Sequence, residues 1–478
     1  MKLLFSGAED VAATWGKLHF GATAMQKVRD GASPGFVPAC FLPGQDGQWA
    51  VYGQIWKPDA TNAWKLVRAT TRDGVHFENL ETVFTMPSGT RRWTEHLGLA
   101  FNPVRKEFLA LKLRCDPDAF AYRAFFSPDG RNWTENPDTL FFDGDSLGLF
   151  WSPAAGRFIC TTKTLQPFAK HIQDHGAKHP QLHDDNLRER RVQVIRSSPD
   201  GRLWEPSDSM VGINGDPARP YRSVPTKFIT APDAEDPPEM EFYRAIGFWH
   251  HDRAYMVVLN YAASPLTPGK HGPQLDTEWW TSREGLHWER PARGLNALGV
   301  AFPSFPNITH NPLIVDGMML FYMGDKVYGL RQDRFSYVGA RANAEFSTRP
   351  FTMPQGDLFL NAAVPSVDRP FAIMLQPPDD KIQSYVMAAV WDEGGRVIPG
   401  FEAGKCVITN RNDIEIPLRW ENRSARELAG RKISLRLFLR SADIYAVTST
   451  SGAVVVHRPV SPEQLPFPLS RSEIRAKD

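Results

Sequence analysis

One eight-residue pattern recurs along the chain and constrains its fold more than any other feature. Phe126–Trp133 reads Phe-Ser-Pro-Asp-Gly-Arg-Asn-Trp, and Ser197–Trp204 repeats it almost residue for residue. Weaker copies at Thr70–Phe77 and Thr281–Trp288 keep an acid, the glycine and the final aromatic residue. Asp-Gly favours a tight turn between strands, because glycine accepts positive φ and aspartate bonds to its own backbone. We expect each aromatic residue to pack under the next sheet. Such recurrence is typical of a propeller or a solenoid.

Between these turns the chain alternates as short strands. Five strand–turn–strand units begin near Trp49, Glu95, Asp145, Phe242 and Asn311. Propellers usually have about four to eight blades. The sequence therefore predicts an all-β chain with a five-bladed β-propeller over residues 1–346 as its catalytic domain. After Thr348 the Asp-Gly pattern stops, and alternating segments predict a β-sandwich over residues 347–457. Residues 458–478 are rich in proline and mixed charge and are expected to form a C-terminal tail.

Composition excludes several classes of partner. The 55 Lys and Arg residues balance 54 Asp and Glu residues, whereas nucleic-acid binders usually carry a basic excess. No stretch approaches the roughly 20 apolar residues of a membrane span. The apolar run at Met1–Phe5 is too short for a secretory signal, so a cytoplasmic location is expected unless a leader has been removed. We expect no nucleic acid, membrane or cofactor partner, and assembly into a homo-oligomer stays open. No metal-type spacing connects the cysteines Cys40, Cys115, Cys160 and Cys406.

Acidic residues stand where three of the predicted blades begin. In a propeller the innermost strands line a central funnel, and Glu95, Asp145 and Glu241 lie at or next to the starts of such strands. Asp30 is the acid that the first blade offers. Carboxylates that converge on one pocket shift each other's pKa, so that one keeps its proton while an ionised neighbour acts as base or nucleophile. Glycoside hydrolysis requires such a pair. A single acid at a strand end is usually a solvated loop residue, but the corresponding positions of these three favour a site.

Longer segments resemble a known group of enzymes. The chain is similar to the glycoside hydrolases of families 32 and 43, and most of all to a bacterial, family-32-like subgroup. The matching segments are Asp145–Pro153, Gly285–Pro291, Asn311–Tyr322, Gly356–Ala362, Arg396–Phe401 and Leu428–Leu439. The resemblance implies a five-bladed propeller, a C-terminal β-sandwich and hydrolysis of glycosidic bonds. The Asn-Asp-Pro-Asn, Arg-Asp-Pro and Glu-Cys motifs of family 32 are absent from the sequence, so the resemblance implies an architecture rather than a fructofuranosidase.

Further polar and aromatic residues are candidates for substrate binding. Lys163 ends the second strand of the third blade, where it would neutralise Asp145 or bind a hydroxyl or carboxylate. Trp249 is either a stacking platform for a sugar or part of the packing between sheets, and His310 precedes the first strand of the fifth blade. The full set of substrate-binding candidates is Asp30, Arg92, His96, Lys163, Tyr243, Trp249 and His310.

A histidine series suggests a second kind of site. His171, His175, His179 and His183 recur every four residues, but Gly176 and Pro180 lie between them and would break a helix. The segment is therefore either a polar lid over the funnel or a loop-borne metal site with Asp184 or Asp185. We predict the lid and no metal.

The sequence as a whole predicts a glycoside hydrolase that is exo-acting on a small or terminal sugar, a furanoside or a related glycoside. Glu95, Asp145 and Glu241 are the predicted catalytic residues: Asp145 and one of the two glutamates serve as acid and as base or nucleophile, and the remaining glutamate tunes their pKa or holds hydroxyls. Two alternatives stay open. One is a carbohydrate-binding propeller without catalysis, and the other is a lyase or transferase on the same scaffold.

Overall fold

Antiparallel β-strands make up almost all of the regular structure. A computed structural model describes residues 1–30, 35–44, 47–55, 63–87, 96–116, 119–137, 141–142, 146–167, 189–204, 229–236, 240–262, 275–294, 308–323, 326–365 and 384–449. These residues form 34 strands and the short 3-10 turns Ala8–Asp10, Ala403–Lys405 and Ala425–Leu428, with no α-helix among them. Accordingly, the described part of the chain holds no helix that could cross a membrane.

The chain divides into two compact units. Residues Met25–Gly329 form one, which we call the five-sheet unit. Residues Met1–Ala24 and the described residues from Leu330 onwards form the other, the two-sheet unit. The first four strands are Lys2–Leu4 (β1), Val11–Trp15 (β2), Leu18–Ala22 (β3) and Gln26–Asp30 (β4), of which only β4 belongs to the five-sheet unit.

The five-sheet unit is a succession of small antiparallel sheets. Sheet 1 consists of Val37–Pro43 (β5), Trp49–Ile55 (β6), Ala63–Thr71 (β7) and Glu78–Pro87 (β8). Sheet 2 consists of Leu97–Asn102 (β9), Glu107–Asp116 (β10), Ala119–Ser127 (β11), Thr134–Glu135 (β12) and Phe141–Phe142 (β13). Sheet 3 consists of Gly148–Ser152 (β14), Arg157–Pro167 (β15), Glu189–Ser198 (β16) and Ile229–Thr230 (β17). Sheet 4 consists of Met240–His250 (β18), Arg253–Ala262 (β19) and Leu275–Ser282 (β20). Sheet 5 consists of Leu313–Val315 (β21), Met318–Met323 (β22), Lys326–Arg331 (β23) and the N-terminal strand β4.

Each of these sheets packs on the next through apolar side chains, and the last packs on the first. The packing brings together Leu66 and Ala110 from sheets 1 and 2, Leu111 and Leu149 from sheets 2 and 3, Ile159 and Ala254 from sheets 3 and 4, Trp279 and Phe321 from sheets 4 and 5, and Val67 and Leu320 from sheets 1 and 5. The packing is therefore cyclic within this unit, and strand β4 completes the sheet that closes the cycle.

The recurring turns form as the sequence predicts. In the copy at Asp129, the carboxylate Oδ1 accepts hydrogen bonds from the backbone N–H groups of Arg131 and Asn132 at 2.8 Å each. These bonds lower the pKa of Asp129 below its ordinary value. Gly201 has a φ of +80°, and a Cβ atom there would lie 2.7 Å from the Leu109 side chain of sheet 2. The corresponding glycines of the other copies also face the sheet that precedes their own, namely Gly74, Gly130 and Gly285.

The aromatic residues of these turns pack in the opposite direction to the one expected. Trp133 leaves the turn of sheet 2 and makes an edge-to-face contact with Tyr52 of sheet 1, with ring centroids 6.3 Å apart. Its indole N–H donates to the carbonyl oxygen of Gly130 at 3.1 Å, and this bond folds the ring back over the turn. Trp288 likewise contacts Phe150 of the preceding sheet. In sheets 1 to 4 the turn and its aromatic residue therefore pack against the preceding sheet, which for sheet 1 is sheet 5.

The two-sheet unit has a single apolar core. One of its sheets contains β1, β3, Ser336–Ala340 (β24), Leu358–Val364 (β27), Arg411–Pro417 (β30) and Ala442–Ser449 (β34). The other contains β2, Ala344–Thr348 (β25), Phe351–Thr352 (β26), Tyr385–Trp391 (β28), Val407–Ile408 (β29) and Lys432–Arg440 (β33). A small hairpin adds Arg419–Trp420 (β31) and Arg423–Ser424 (β32). Both larger sheets contribute to one buried cluster, the first through Leu360 and Ile444 and the second through Val386 and Leu437.

The limits of the units differ from those that the sequence suggested. We expected residues 1–346 to form one domain, whereas β1 pairs with β34, β2 with β25 and β3 with β24. The N-terminal strands thus complete the sheets of the C-terminal part. Their short alternating pattern suits either unit, and a pairing partner more than 300 residues away leaves no local mark in the sequence. The predicted tail, residues 458–478, lies outside the described residues.

Candidate functional site

The two ends of each sheet differ in character. In sheet 2 the first strand begins at Leu97, which pairs with Lys112, whereas Phe108 pairs with Ser127 beside the Asp-Gly turn. We call the end at which the first strand of a sheet begins its upper end, and the end that carries the Asp-Gly turn its turn end. Of the predicted blade-start acids, Glu241 is the one within the described residues, and it belongs to an upper end.

Glu241 lies at the upper end of sheet 4, one residue after β18 begins. Its side chain is only 2% exposed and contacts Arg191 of sheet 3. The backbone N–H of Arg191 donates to Glu241 Oε2 at 2.7 Å, and Arg191 Nη1 donates to Oε1 and Oε2 at 3.1 and 2.9 Å. Both carboxylate oxygens are therefore engaged by one residue, whose charge stabilises the carboxylate form.

Tyr243 provides the aromatic part of the same site. The Lys163 ammonium nitrogen lies 4.0 Å from the centre of its ring, and the Arg191 guanidinium carbon lies 5.0 Å from it. Cations at this distance are attracted by the electron-rich face of the ring. Lys163 is buried, whereas Tyr243 is partly exposed. The site therefore reaches solvent at Tyr243.

Two neutral side chains, Thr161 and Gln193 of sheet 3, also bond to sheet 4. Thr161 Oγ1 donates to the carbonyl oxygen of Ala245 at 2.6 Å, and Gln193 Nε2 donates to that of Phe242 at 2.8 Å. We call Thr161, Lys163, Arg191, Gln193, Glu241 and Tyr243 together the polar seam. Alternate residues of β15 and β16 point to one face. The next residues of that face, Ile159 and Ile195, are apolar and pack toward the turn end.

The structure brings three sequence-predicted residues together in the polar seam: Lys163, Glu241 and Tyr243. Glu95, Asp145 and Arg92 lie outside the described residues, as do the histidines His171, His175, His179 and His183. Asp30 ends β4 and pairs with Lys326, so its backbone belongs to the last sheet rather than to the start of the first, and its side chain is not among those described. His96 precedes β9, is partly buried, and accepts from the backbone N–H of Leu113 through its carbonyl oxygen at 2.9 Å.

His310 and Trp249 lie outside the polar seam, and Trp249 takes the second of its two expected environments, the packing between sheets. His310 is 3% exposed, and its Nδ1 accepts from the backbone N–H of Leu149 at 3.3 Å. Burial, assisted by the charge of Arg244, lowers the pKa of His310 to about 3, so the ring is neutral. Trp249 lies at the turn end of β18, where its indole N–H donates to the carbonyl oxygen of His251 at 2.8 Å. Both side chains belong to the packing of the unit rather than to the polar seam.

Sequence reasoning missed Arg191, Gln193 and Thr161. A signal for two of them is present in the chain, because Arg191 and Gln193 alternate with the apolar residues Val192 and Val194. Polar residues at alternate positions of a strand usually face solvent. In this protein Arg191 and Gln193 face sheet 4 instead, and the sequence of their own strand does not indicate that contact. Within the described residues the seam offers a single carboxylate, which Arg191 engages.

Comparisons with known proteins give loose structural similarities. No family model matches the chain, and no curated protein matches it. Among solved structures, the chain is similar to a glycosyl hydrolase from Bacteroides ovatus, with a TM-score of 0.33 and 11% identity over 62% of this chain and 82% of that one. It is also similar to an exo-β-1,3-galactanase from Phanerochaete chrysosporium, with a TM-score of 0.34 and 9% identity over 88% and 99% of the two chains. A fructofuranosidase from Schwanniomyces occidentalis gives a TM-score of 0.32 and 10% identity over 89% and 96%. Because these TM-scores are low, the assignments below rest on the chain's own sheets and contacts.

Proposed function

We propose that the protein is a glycoside hydrolase built on a five-bladed β-propeller, with a β-sandwich formed by the two-sheet unit. The cyclic packing of sheets 1 to 5 supports the propeller, because each sheet contacts two neighbours and the fifth contacts the first. The single apolar core shared by two sheets supports the sandwich. The active site of this proposal lies at the upper ends of the sheets.

The observation that carries the proposal is the engaged carboxylate of Glu241. It occupies the start of a first strand, is buried, and is held by two donors of Arg191. Hydrolysis of a glycoside needs one protonated carboxyl group and one ionised carboxylate. Arg191 suits Glu241 to the ionised role. The proton-donating role then falls to Asp145 or Glu95, which the sequence places at the starts of two other first strands.

The catalytic step assigned to each carboxyl group follows from whether the group is protonated or ionised. The protonated acid transfers its proton to the glycosidic oxygen as the bond to the sugar carbon breaks. The ionised carboxylate either attacks that carbon or removes a proton from the attacking water. The spacing of the carboxyl groups distinguishes these cases, at about 5 to 5.5 Å for retention and roughly 6.5 to 9.5 Å for inversion. We further propose that the enzyme removes a terminal sugar, since a pocket at the strand starts admits one end of a chain.

Amide substitutions test the proposal. Glu95→Gln, Asp145→Asn and Glu241→Gln should each lower turnover of a panel of aryl glycosides by at least about 100-fold, which is the usual contribution of acid–base catalysis. Glu278→Gln is the matched control, because Glu278 is also buried in sheet 4 and paired with an arginine, Arg290. Its variant should keep its turnover per folded molecule. Full activity in all three of the test variants would exclude the mechanism.

A second candidate is a carbohydrate-binding protein without turnover. It is favoured by the hydrogen bonds that Arg191 donates to both oxygens of Glu241. These bonds leave the carboxylate few free lone pairs with which to act as base or nucleophile. Release of reducing sugar from polysaccharides separates the two candidates, because a binding protein retains the polysaccharide and releases none. The mass of any product separates hydrolysis from lyase or transferase chemistry, since only hydrolysis adds one water.

A further inference from the structure

The two sheets of the two-sheet unit differ in the residues that cross their outer faces. Across the sheet that contains β33, the residues paired from strand to strand are Trp15, Glu345, Phe438, Met387 and Val407, which we call the apolar row. Across the other sheet, the corresponding row is His19, Gly339, Asp443, Ala363 and Asn412. Both rows point away from the core, because the residues next to them along the strands, such as Leu437 and Leu439, are core residues. An outer sheet face is ordinarily polar, so the apolar row is the exception.

The most exposed residues of the apolar row stand at its two ends. Trp15 is 63% exposed and Val407 is 54% exposed. Val397, at 40%, belongs to the same face, because it pairs with Trp391, four residues after Met387 on β28. In the part of the two-sheet unit that the structure describes, these three are all of the exposed large apolar side chains. Apolar residues scattered over a surface need no explanation, but a group of them on one face indicates a docking surface.

The acidic residue of the apolar row is neutralised within the face. Glu345 forms an ion pair with Arg436 on the neighbouring strand β33. The guanidinium carbon of Arg436 also lies 4.4 Å from the centre of the Trp391 ring and 5.7 Å from that of Phe438. A partner that covers the row therefore does not have to supply a cation for Glu345.

The apolar row has an arrangement that suits a second copy of itself. Phe438 belongs to β33, the third of the five strands that the row crosses, and Trp15 and Val407 lie two strands away on either side. A two-fold axis parallel to β33 stacks two such sheets face to face. It places Phe438 against its own copy and Trp15 against the partner subunit's Val407. Two-fold dimers are the commonest assemblies of identical chains, and aligned sheets stack about 10 Å apart.

The face is also of the size that a dimer needs. Five strands spaced by about 4.8 Å span about 24 Å, and the seven residues of β28, at about 3.3 Å each, span about 23 Å. The flat area is thus on the order of 550 Å², and the relief of the side chains adds to it. A standard interface buries about 800 Å² on each partner, and weaker ones bury less.

We propose that the protein forms a two-fold dimer through this face, with the apolar rows of two copies packed against each other. The contact uses residues of the two-sheet unit alone, so it is independent of the catalytic assignment. Removal of Trp15 and Val407 from water drives the association. The pairing of Glu345 with Arg436 means that the contact does not bury the row's carboxylate without a partner.

Sedimentation velocity of the full chain over about a hundredfold range of concentration measures the assembly. At high concentration the wild type should approach twice the 53.8 kDa mass of one chain. Val407→Lys should weaken dimerisation at least about tenfold, because it places an unpaired charge in the interface at two symmetric positions. Val104→Lys is the matched control, since Val104 is 80% exposed and lies in the five-sheet unit. Its dimerisation should equal that of the wild type.

Charge pairing tests the two-fold arrangement itself. Trp15→Lys and Val407→Glu should each shift the protein toward the monomer. A chain that carries both substitutions should regain the dimer, because each introduced ammonium group then faces an introduced carboxylate of the partner subunit. Both positions are more than half exposed, so the variants should fold, and urea denaturation checks that they do.

Cross-linking of isotope-labelled with unlabelled full-length chains identifies what covers the face. An amine-reactive reagent should join Lys17, near Trp15, to the partner subunit's Lys405, near Val407. A wild type that stays monomeric at every concentration overturns the proposal, and a link from Lys17 or Lys405 to Lys477 in that monomer would assign the face to the chain's own C-terminal residues. A dimer that is equally stable in Trp15→Lys and Val407→Lys also overturns it, since another surface then joins the copies.

Discussion

The interface between sheets 2 and 3 and the interface between sheets 3 and 4 are built alike at one end and differently at the other. At the turn end, Gly201 packs on Leu109 in the first interface and Gly285 packs on Phe150 in the second. Toward the upper end, the first interface stays apolar, with Leu111, Leu113, Leu147 and Leu149 all buried. The second changes there to the ion pair, the cation–ring contacts and the amides of the polar seam.

This difference separates structural from functional requirements. The turn end of the first interface carries the ion pair of Arg202 and Glu107, but its upper end packs through apolar side chains, so that end of such a sheet pair needs no charge to hold together. Burial of charged groups in the second interface carries a desolvation cost that apolar side chains would avoid. Because this desolvation cost arises at the upper end of the interface between sheets 3 and 4, the charged groups there indicate a role other than stability. The following experiments test how far the two interfaces differ.

The largest effect is expected from breaking the ion pair. Arg191→Met should destabilise the protein by about 3 to 5 kcal/mol, because it leaves the Glu241 charge buried without the Arg191 guanidinium. Adding Glu241→Gln should recover much of this loss, since the buried charge is then gone. Urea denaturation of both single variants and the double variant measures the coupling. Tyr122→Phe is the control in the first interface, where the bond to the Ser146 carbonyl oxygen is lost, and about 1 kcal/mol is expected. Equal losses of unfolding free energy in Arg191→Met and Tyr122→Phe would contradict the difference between the two interfaces.

An intermediate effect is expected from protonation of His310, which bonds to sheet 3 at Leu149. Burial lowers the pKa of this residue from 6.5 to about 3, so the unfolded chain takes up a proton below pH 6.5 and the folded protein does not. Its contribution to stability is therefore complete above pH 6.5 and declines as the pH falls toward 3. Between pH 7 and pH 5 the loss should be about 2 kcal/mol.

The control for this experiment is His310→Gln, which has no titrating ring. Urea midpoints at pH 7 and pH 5 should differ less in this variant than in the wild type. An identical pH dependence in the two proteins would show that the His310 ring does not stay neutral in the fold.

The smallest effects are expected at the turns. Asp200→Ala removes an acceptor for the backbone N–H of Arg202, and Glu284→Ala removes one for that of His287. Each should cost about 1 kcal/mol in thermal or urea unfolding. Turnover per folded molecule should not change, because both residues lie at the turn end. A loss of activity in either variant without a matching loss of stability would place the active site at the turn end and contradict its assignment to the upper end.

The sequence predicted what depends on local chemistry. The Asp-Gly turns, their positive-φ glycines and the strands around them follow from neighbouring residues, and the structure has them. Lys163 was predicted to end its strand, but that strand continues to Pro167, and Lys163 and Tyr243 lie together in the polar seam. Glu241 was predicted as a catalytic residue, and its position beside them agrees with that prediction without testing it.

What depends on pairing between distant segments was not predictable. Arg191 became important only through Glu241, 50 residues further along the chain. The side to which Trp133 packs is set by the preceding sheet, not by the turn itself. His310 was expected at a pocket; its ring accepts from the backbone N–H of Leu149 in β14, and its burial depends on elements that its own segment does not encode.

The division of the chain has a consequence for the order in which the protein can mature on the ribosome. The two-sheet unit uses strands from the first 22 residues and from residues beyond 330, with the whole five-sheet unit between them. Strands β1, β2 and β3 therefore leave the exit tunnel before the five-sheet unit and receive their partners after it, when β24, β25 and β34 emerge. The five-sheet unit can close as soon as β23 meets β4. During synthesis the first 22 residues remain unpaired edges, which makes that segment the place where a chaperone would be most needed.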